Sequence, residues 1–149
     1  MKPKLKAYFS HPWVSRTHGA AKIVQQELEK GLPEIEFVNP FEVGDLTAQW
    51  IQKPNDLAIA KTIVRKDLQL MRDCDLIISY FPDMINATEP TRGTIGTPME
   101  YFYMRHILNK PAYALSPYRH PWLMALDVRC EIDIDVLIKR VRTELKLDS

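Results

Sequence analysis

Cysteine is nearly absent from this chain. Its 149 residues include two, Cys74 and Cys130, distant from each other and in no CxxC pair. Neither a disulfide framework nor a thiolate metal site can be built from them. Histidine is almost as scarce. His11, His18, His106 and His120 show no HxxxH spacing and have no cysteine nearby, so no metal and no cofactor is expected. Long apolar runs are missing too. Nothing approaches the roughly 20 residues of a membrane-spanning helix, and the apolar stretch before Ser10 is too short for a signal peptide. The expectation is a cytoplasmic protein with no membrane partner. An excess of one charge is also lacking: 20 basic residues face 19 acidic ones, for a net charge of +1. A protein that grips a polyanion shows a basic stripe. None is visible, so no nucleic acid polymer is expected, and any nucleotide chemistry acts on a monomer.

The composition that remains is ordinary: 46% hydrophobic and 26% charged, enough for one core and one domain over residues 1–149. Residues 5–9 read as a short buried strand that ends in the turn Ser10-His11-Pro12. Residues 20–29 read as a helix with Ala20, Ile23, Val24 and Leu28 on one face, stopped by Gly31 and Pro33. Residues 34–39 form a second strand with Ile35 and Phe37 inward, closed by Pro40. Residues 40–55 read as irregular and carry Trp50. A long helix over 56–73 presents Ala60, Ile63, Val64, Leu68 and Met71 as its apolar stripe. Residues 76–80 (Leu-Ile-Ile-Ser-Tyr) are the clearest strand. The loop 81–96 holds Pro82, Pro90, Gly93 and Gly96; loops this long in compact domains tend to be functional. Thr97-Pro98-Met99-Glu100 has the grammar of a helix start, and that helix runs to about Leu108. Residues 112–115 form another strand. A last helix opens at Asp133, with Ile134, Leu137, Ile138, Val141 and Leu145 on one face.

Strands alternating with helices predict an α/β fold with a mostly parallel sheet covered on both faces. In such sheets ligands bind beyond the carboxyl ends of the strands. Three segments fall there: 8–16, 81–100 and 116–124.

Within them, Glu100 has two readings. It can be the third residue of a capping box, its carboxylate on the Thr97 amide. Alternatively, the positive end of the helix keeps it ionised at a cleft, as a covalent nucleophile requires. Asp67 lies beside the apolar stripe of the long helix, where it can pair with Arg65, Lys66 or another base, or serve a site. Trp13, after Tyr8 in the first loop, either plugs the core or stacks on a planar base. Arg16 either meets a phosphate or is solvated.

These regions together resemble the nucleoside 2-deoxyribosyltransferase family, with its related deoxynucleoside 5′-monophosphate N-glycosidases. The residues that carry the likeness are Tyr8-Phe9-Ser10-His11-Pro12-Trp13; Arg65-Lys66-Asp67-Leu68 followed by Asp73-Cys74-Asp75-Leu76-Ile77-Ile78; and Arg92-Gly93-Thr94-Ile95-Gly96-Thr97-Pro98-Met99-Glu100, ending in Asn109-Lys110-Pro111. The order and spacing of the motifs are more specific than any one of them. The resemblance covers the chain from the first strand to Pro111. It implies a flavodoxin-like doubly wound sheet and a homo-oligomer that takes a nucleoside or nucleotide together with a purine or pyrimidine base. It makes Glu100 the nucleophile at the sugar C1′, Asp67 the group that helps protonate the leaving base, and Tyr8 the residue that orients the nucleophile. The candidate substrate contacts are Phe9, Ser10, Trp13, Arg16, Asp83, Gly93, Thr94, Gly96, Thr97 and Met124.

The chain departs from the family pattern in two places. Transferases often carry an Asp six residues before the nucleophile, where this chain has Thr94. The 5′-monophosphate N-glycosidases tend to carry a hydroxyl there, which pulls toward a nucleotide substrate and hydrolysis. Phe102 and Met104 stand where Gly and Ala are common. The segment 116–124, with Pro117, Arg119, Trp122 and Met124, is a candidate to complete a neighbouring subunit's site. A reading of another class, a non-catalytic nucleotide-binding module, makes Glu100 only a cap and Asp67 only an ion-pair residue. The two classes differ in whether Tyr8, Asp67 and Glu100 converge on one pocket.

Overall fold

Alternation along the strands sets the architecture, because successive side chains point to opposite faces of a sheet. The computed structural model describes residues 3–13, 19–82, 96–117, 121–126 and 129–148. Five strands, β1 (Leu5–Ser10), β2 (Ile35–Val38), β3 (Leu76–Tyr80), β4 (Ala112–Leu115) and β5 (Cys130–Glu131), form one parallel sheet in the order β2-β1-β3-β4-β5. This is the flavodoxin-like order, which reverses direction between β1 and β3. The helices are α1 (Ala20–Gly31), α2 (Thr47–Gln52), α3 (Leu57–Asp73), α4 (Gly96–Phe102), α5 (Pro121–Leu126) and α6 (Ile134–Glu144). A π-helical turn, Tyr103–Ile107, continues α4.

The three inner strands are buried on both sides. Ala7 and Phe9, Leu76 and Ile78, and Tyr113 and Leu115 point to one face, where Ala21 and Leu28 of α1 and Leu137 and Val141 of α6 cover them. Tyr8, Ile77, Ala112 and Ala114 point to the other, against Met71 of α3, Tyr101 of α4 and Met104 of the π turn. That second face carries the site. Strands buried on both sides read as continuous apolar runs, which is why β3 is plain in the sequence.

Local grammar explains most helix ends. Asp56 caps α3 by accepting from the amides of Ala58 (3.0 Å) and Ile59 (3.3 Å). Asp133 does the same for α6 through Asp135 (2.8 Å) and Val136 (3.2 Å). Lys110 donates to the carbonyls of Met71 (3.1 Å) and Arg72 (2.7 Å) at the end of α3, so the residue that leads into β4 also ties down the helix before β3. Gly31 is the last residue of α1 rather than a residue beyond it. A Cβ there would lie 2.6 Å from Ile138 Cδ1, so its bareness lets α6 approach α1.

The structure corrects several expectations. The buried face of α1 is Ala21, Gln25 and Leu28, with Ile23 64% exposed. Gln25 is tolerated inside because it accepts from Asn39 Nδ2 at 3.0 Å and donates to Glu29 at 3.0 Å. Residues 40–55 are not wholly irregular, since α2 lies among them. The two-residue strand β5 was too short to read as periodic. Thr97 sits inside α4, not at its cap. The stripe of α3 is only partly covered: Met71 is buried, Ala60, Ile63 and Leu68 are half-buried, and Val64 is 55% exposed. Among the described residues no helix is long and apolar enough to cross a membrane.

Leu137 is fully buried between α6 and the sheet. Leu137→Ala should therefore cost about 2–5 kcal/mol of folding free energy, read as a lowered midpoint in urea denaturation.

Candidate functional site

The site is assembled by the parity of β1. Tyr8 and Ser10 are two residues apart, so both side chains leave the same face of the strand. Both donate to one carboxylate: the Tyr8 hydroxyl to Glu100 Oε2, and Ser10 Oγ to Glu100 Oε1 at 2.9 Å. Glu100 comes from α4, which follows the 83–95 segment and packs over β1 and β3. The capping-box arrangement is not formed. The Glu100 carboxylate turns toward the strand, and the Thr97 hydroxyl, buried at the cavity wall, has no hydrogen-bond partner among the described residues.

Glu100 and Asp67 face the same cavity of about 730 Å³. Asp67 Oδ1 is buried and lies 3.5 Å from Lys66 Nζ. That is an ion pair but not a hydrogen bond, and Lys66 spends its short contact on the Pro40 carbonyl at 2.7 Å. The expected pairing of Asp67 with a neighbouring base is therefore present but loose. Asp67 Oδ1 has no hydrogen bond among the described residues.

Burial governs the protonation states. It raises the Glu100 carboxyl to about 7, against the hydrogen bond from Tyr8; the Asp67 charge adds to the rise, while Ser10 and Lys66 oppose it. The expectation that a helix end keeps Glu100 ionised at neutral pH is weakened: with the carboxyl raised to about 7 both forms are populated there, because desolvation outweighs the donors. Burial also raises Asp67, with Lys66 opposing. Tyr8 is pushed well above the ordinary phenol range by burial and by the Glu100 and Asp67 charges, so it remains a protonated donor.

The remaining candidates divide. Trp13, Gly96 and Thr97 line the cavity. Ser10 is placed on the carboxylate. Phe9 is corrected: one residue out of phase with Tyr8, it is fully buried in the core on the opposite face. Met124 is also corrected for this chain's own cavity. It is 47% exposed on α5, in the β4-to-β5 crossover two strands away from β1, and does not line the cavity. Arg16, Asp83, Gly93 and Thr94 lie outside the described residues.

The sequence reading gave no place in the site to several other cavity residues, among them His11, Phe41, Trp50 and Lys66. His11 is held between the rings of Phe9 and Phe41, at 5.2 and 4.8 Å. The Phe41 amide donates to Asn39 Oδ1 at 2.9 Å, so Asn39 presents its Nδ2 to His11 Nε2 at 3.1 Å. That assigns the ring proton to Nδ1, which donates to the Pro12 carbonyl at 3.0 Å. The loop that delivers Trp13 is thereby tied to β2. Among the described residues no group of three His, Cys, Asp or Glu side chains could hold a metal ion.

The arrangement defines a flavodoxin-like α/β protein with a carboxylate pair beyond the carboxyl ends of β1 and β3. Several solved structures share this fold. A 2-deoxyribosyltransferase from the psychrotolerant bacterium Bacillus psychrosaccharolyticus matches with a TM-score of 0.58 at 18% identity, over 89% of this chain and 90% of its own. A conserved protein from Enterococcus faecalis V583 matches with a TM-score of 0.67 at 15% identity, over 95% and 99%. At such identities the likeness is one of fold. No protein-family model matches the chain, and no curated protein matches it in sequence.

Titration of Glu100 tests the electrostatics. Carboxyl-labelled NMR should give a midpoint near 7, and Tyr8→Phe, which removes a donor to the charged form, should move it higher. Folding raises this pKa above the ordinary 4.5, so the folded state holds the proton more tightly. That contribution is complete below about pH 4.5 and is lost as pH rises through about 7. Glu100→Gln should therefore raise the melting temperature relative to wild type at pH 8 and not at pH 4.

Proposed function

We propose that the protein cleaves the N-glycosidic bond of a 2′-deoxynucleoside through a covalent glycosyl–Glu100 intermediate and transfers the sugar to a second base. The observation that carries this reading is the Glu100 carboxylate, fixed by Tyr8 and Ser10 and facing the same cavity as Asp67. The fold shared with a 2-deoxyribosyltransferase supports it. On residues that line the cavity, Asp67 Oδ1 and Thr97 Oγ1 are buried without hydrogen bonds among the described residues, which favours a polar ligand part, since buried polar groups demand partners.

In the first half-reaction a Glu100 oxygen bonds to C1′ as the bond from C1′ to the base nitrogen breaks. The bonding pair leaves with the base, and Asp67, whose raised pKa suits it to carry a proton, protonates that base. Tyr8 and Ser10 orient the attacking carboxylate. In the second half-reaction an acceptor base attacks C1′ and releases Glu100, with Asp67 taking the proton back. This is the double displacement of a retaining glycosidase. Trp13 supplies a ring for base stacking. Water in place of the second base gives hydrolysis, the reading that Thr94 favours by sequence, with a deoxynucleoside 5′-monophosphate as substrate. A homo-oligomer accords with the exposed apolar residues Leu57, Met99 and Ile107.

Deoxynucleosides and their 5′-monophosphates, incubated with and without an acceptor base and resolved by chromatography, test the proposal. Base exchange supports transfer; release of free sugar or sugar phosphate without an acceptor supports hydrolysis. Glu100→Ala should lower kcat by at least ~10³-fold with the fold intact, and Asp67→Asn by ~10²–10⁴-fold. The acid limb of kcat/KM should fall near pH 7, where Glu100 ionises. Normal turnover by Glu100→Ala would overturn the nucleophile assignment.

A further inference from the structure

A buried hydroxyl of the sheet lacks a partner among the described residues. Ser79 of β3 is fully buried, and its Oγ makes no hydrogen bond there. Strand parity fixes where it points. Ile77 packs on the same face as Tyr8, whereas Leu76 and Ile78 belong to the opposite core. Ser79, two residues after Ile77, therefore leaves the strand on the side of the carboxylate. Register fixes its neighbour. Ser79 is paired with Ser10 across the β1–β3 ladder, and neighbouring strands lie roughly 4.8 Å apart. Ser10 is the residue whose Oγ reaches Glu100 Oε1 at 2.9 Å, and α4 packs over both strands. Packing alone does not account for Ser79. Alanine fills nearly the same space without burying an unpaired hydroxyl, which costs stability. The ladders on both sides of β3 occupy its backbone groups. Ser79 does not line the cavity, so a ligand there does not supply the partner either.

We propose that Ser79 is a positioning residue for Glu100, its hydroxyl turning to donate to Oε1 of the ionised carboxylate beside Ser10. A charged carboxylate has about four lone-pair positions for donors. Tyr8 takes one on Oε2 and Ser10 one on Oε1, which leaves Oε1 room for a second. In the neutral acid one oxygen carries the proton, and the demand for donors falls. Ser79 is thus idle when Glu100 is protonated and engaged when it is charged. In the reaction, such a donor raises the fraction of Glu100 ready to attack and stabilises the carboxylate as it leaves in the second half-reaction. That consequence rests on the proposed N-glycosidic function; the hydrogen bond itself does not. The ionisable groups that act on Glu100 are Tyr8 of β1 and Lys66 and Asp67 of α3. His11, Asp45 and Tyr103 also line the cavity, and Cys74, Cys130 and Tyr101 are buried on the same face of the sheet. β3 brings none, since Tyr80 packs on the opposite core. Replacing Ser79 by alanine changes no charge around Glu100, so a shift in its titration reports the hydroxyl itself.

Carboxyl-labelled NMR on the whole chain tests this. Ser79→Ala should raise the Glu100 midpoint by about one pH unit over the wild type, the strength of one hydrogen bond to a charged group. Thermal melting gives a second readout. Removing a donor to the charged form raises the folded-state pKa further, and the cost falls where the carboxylate is ionised. Ser79→Ala should therefore melt below the wild type at pH 9 and no lower than it at pH 4. A serine with a merely structural role would lower the melting temperature alike at both. Where 2′-deoxyadenosine is cleaved, the acid limb of kcat/KM should move up with the midpoint. An unmoved midpoint overturns the inference, and so does a lowered one, which would make Ser79 an acceptor for the neutral acid. An equal loss of melting temperature at both pH values, or an acid limb that stays while the midpoint moves, overturns it too. A raised midpoint without cleavage of any substrate sinks only the proposed chemistry, and cleavage with an unmoved midpoint sinks only the role of Ser79.

Discussion

The whole site hangs on a carboxylate taken out of water and given two hydroxyl donors from one strand. Burial of Glu100 raises its pKa to about 7. Without Tyr8 and Ser10 the same burial would favour the neutral acid still more strongly. The donors are in place because β1 is a central strand, paired with β2 and β3 on its two sides, so the register that sets Tyr8 and Ser10 on one face cannot slip without exposing Ala7 and Phe9. The requirement that the opposite face pack as a hydrophobic core is therefore what aims the hydroxyls. Core and site are two readings of one alternation.

The same logic explains what the sequence disclosed and what it concealed. β3 was legible because it is buried on both faces. α3 and α6 were legible because Asp56 and Asp133 cap them and their apolar residues recur at helical spacing. Glu100, Asp67 and Tyr8 could be named from motif order. Ser10 could have been given its part by counting two from Tyr8, whereas Phe9, adjacent to both, was misassigned because a motif string does not record which face each residue takes. α2 was hidden by its six-residue length and the absence of a side-chain cap, and β5 by having only two residues. The Thr97 reading failed because Thr followed three residues later by Glu permits a capping box without requiring one. Only tertiary structure records which donor the Glu meets.

Amphipathic periodicity proved ambiguous in a similar way. The stripe on α3 has the spacing of a core-facing helix, and Met71 at its end is indeed buried. Toward the N-terminus, however, the partner is a cavity, and the short helix α2 forms its far wall. A helix face that packs on protein and one that borders an open cavity can show the same period, because periodicity records the spacing of apolar side chains and not what covers them. What separates them is whether another layer arrives, and α2, the element that lines this part of the cavity, left little trace in the sequence.

The two carboxylates must also be considered as a pair. Each raises the other's affinity for a proton, so in the empty cavity the first proton to bind belongs to both, and its location depends on local donors. Glu100 has two hydroxyl donors that favour its charged form. Asp67 has only the looser attraction of Lys66 at 3.5 Å. Burial alone favours a proton on the more enclosed Glu100, so the hydrogen bonds work against burial and bring the two sites closer in affinity. A ligand nitrogen that accepts from Asp67 favours its protonated form, whereas a hydroxyl that donates to it favours the charged one. With the proton drawn to Asp67, Glu100 is left ionised under its two donors. Which of the two carboxyls holds the proton is thus not built into either residue; it depends on what enters the cavity.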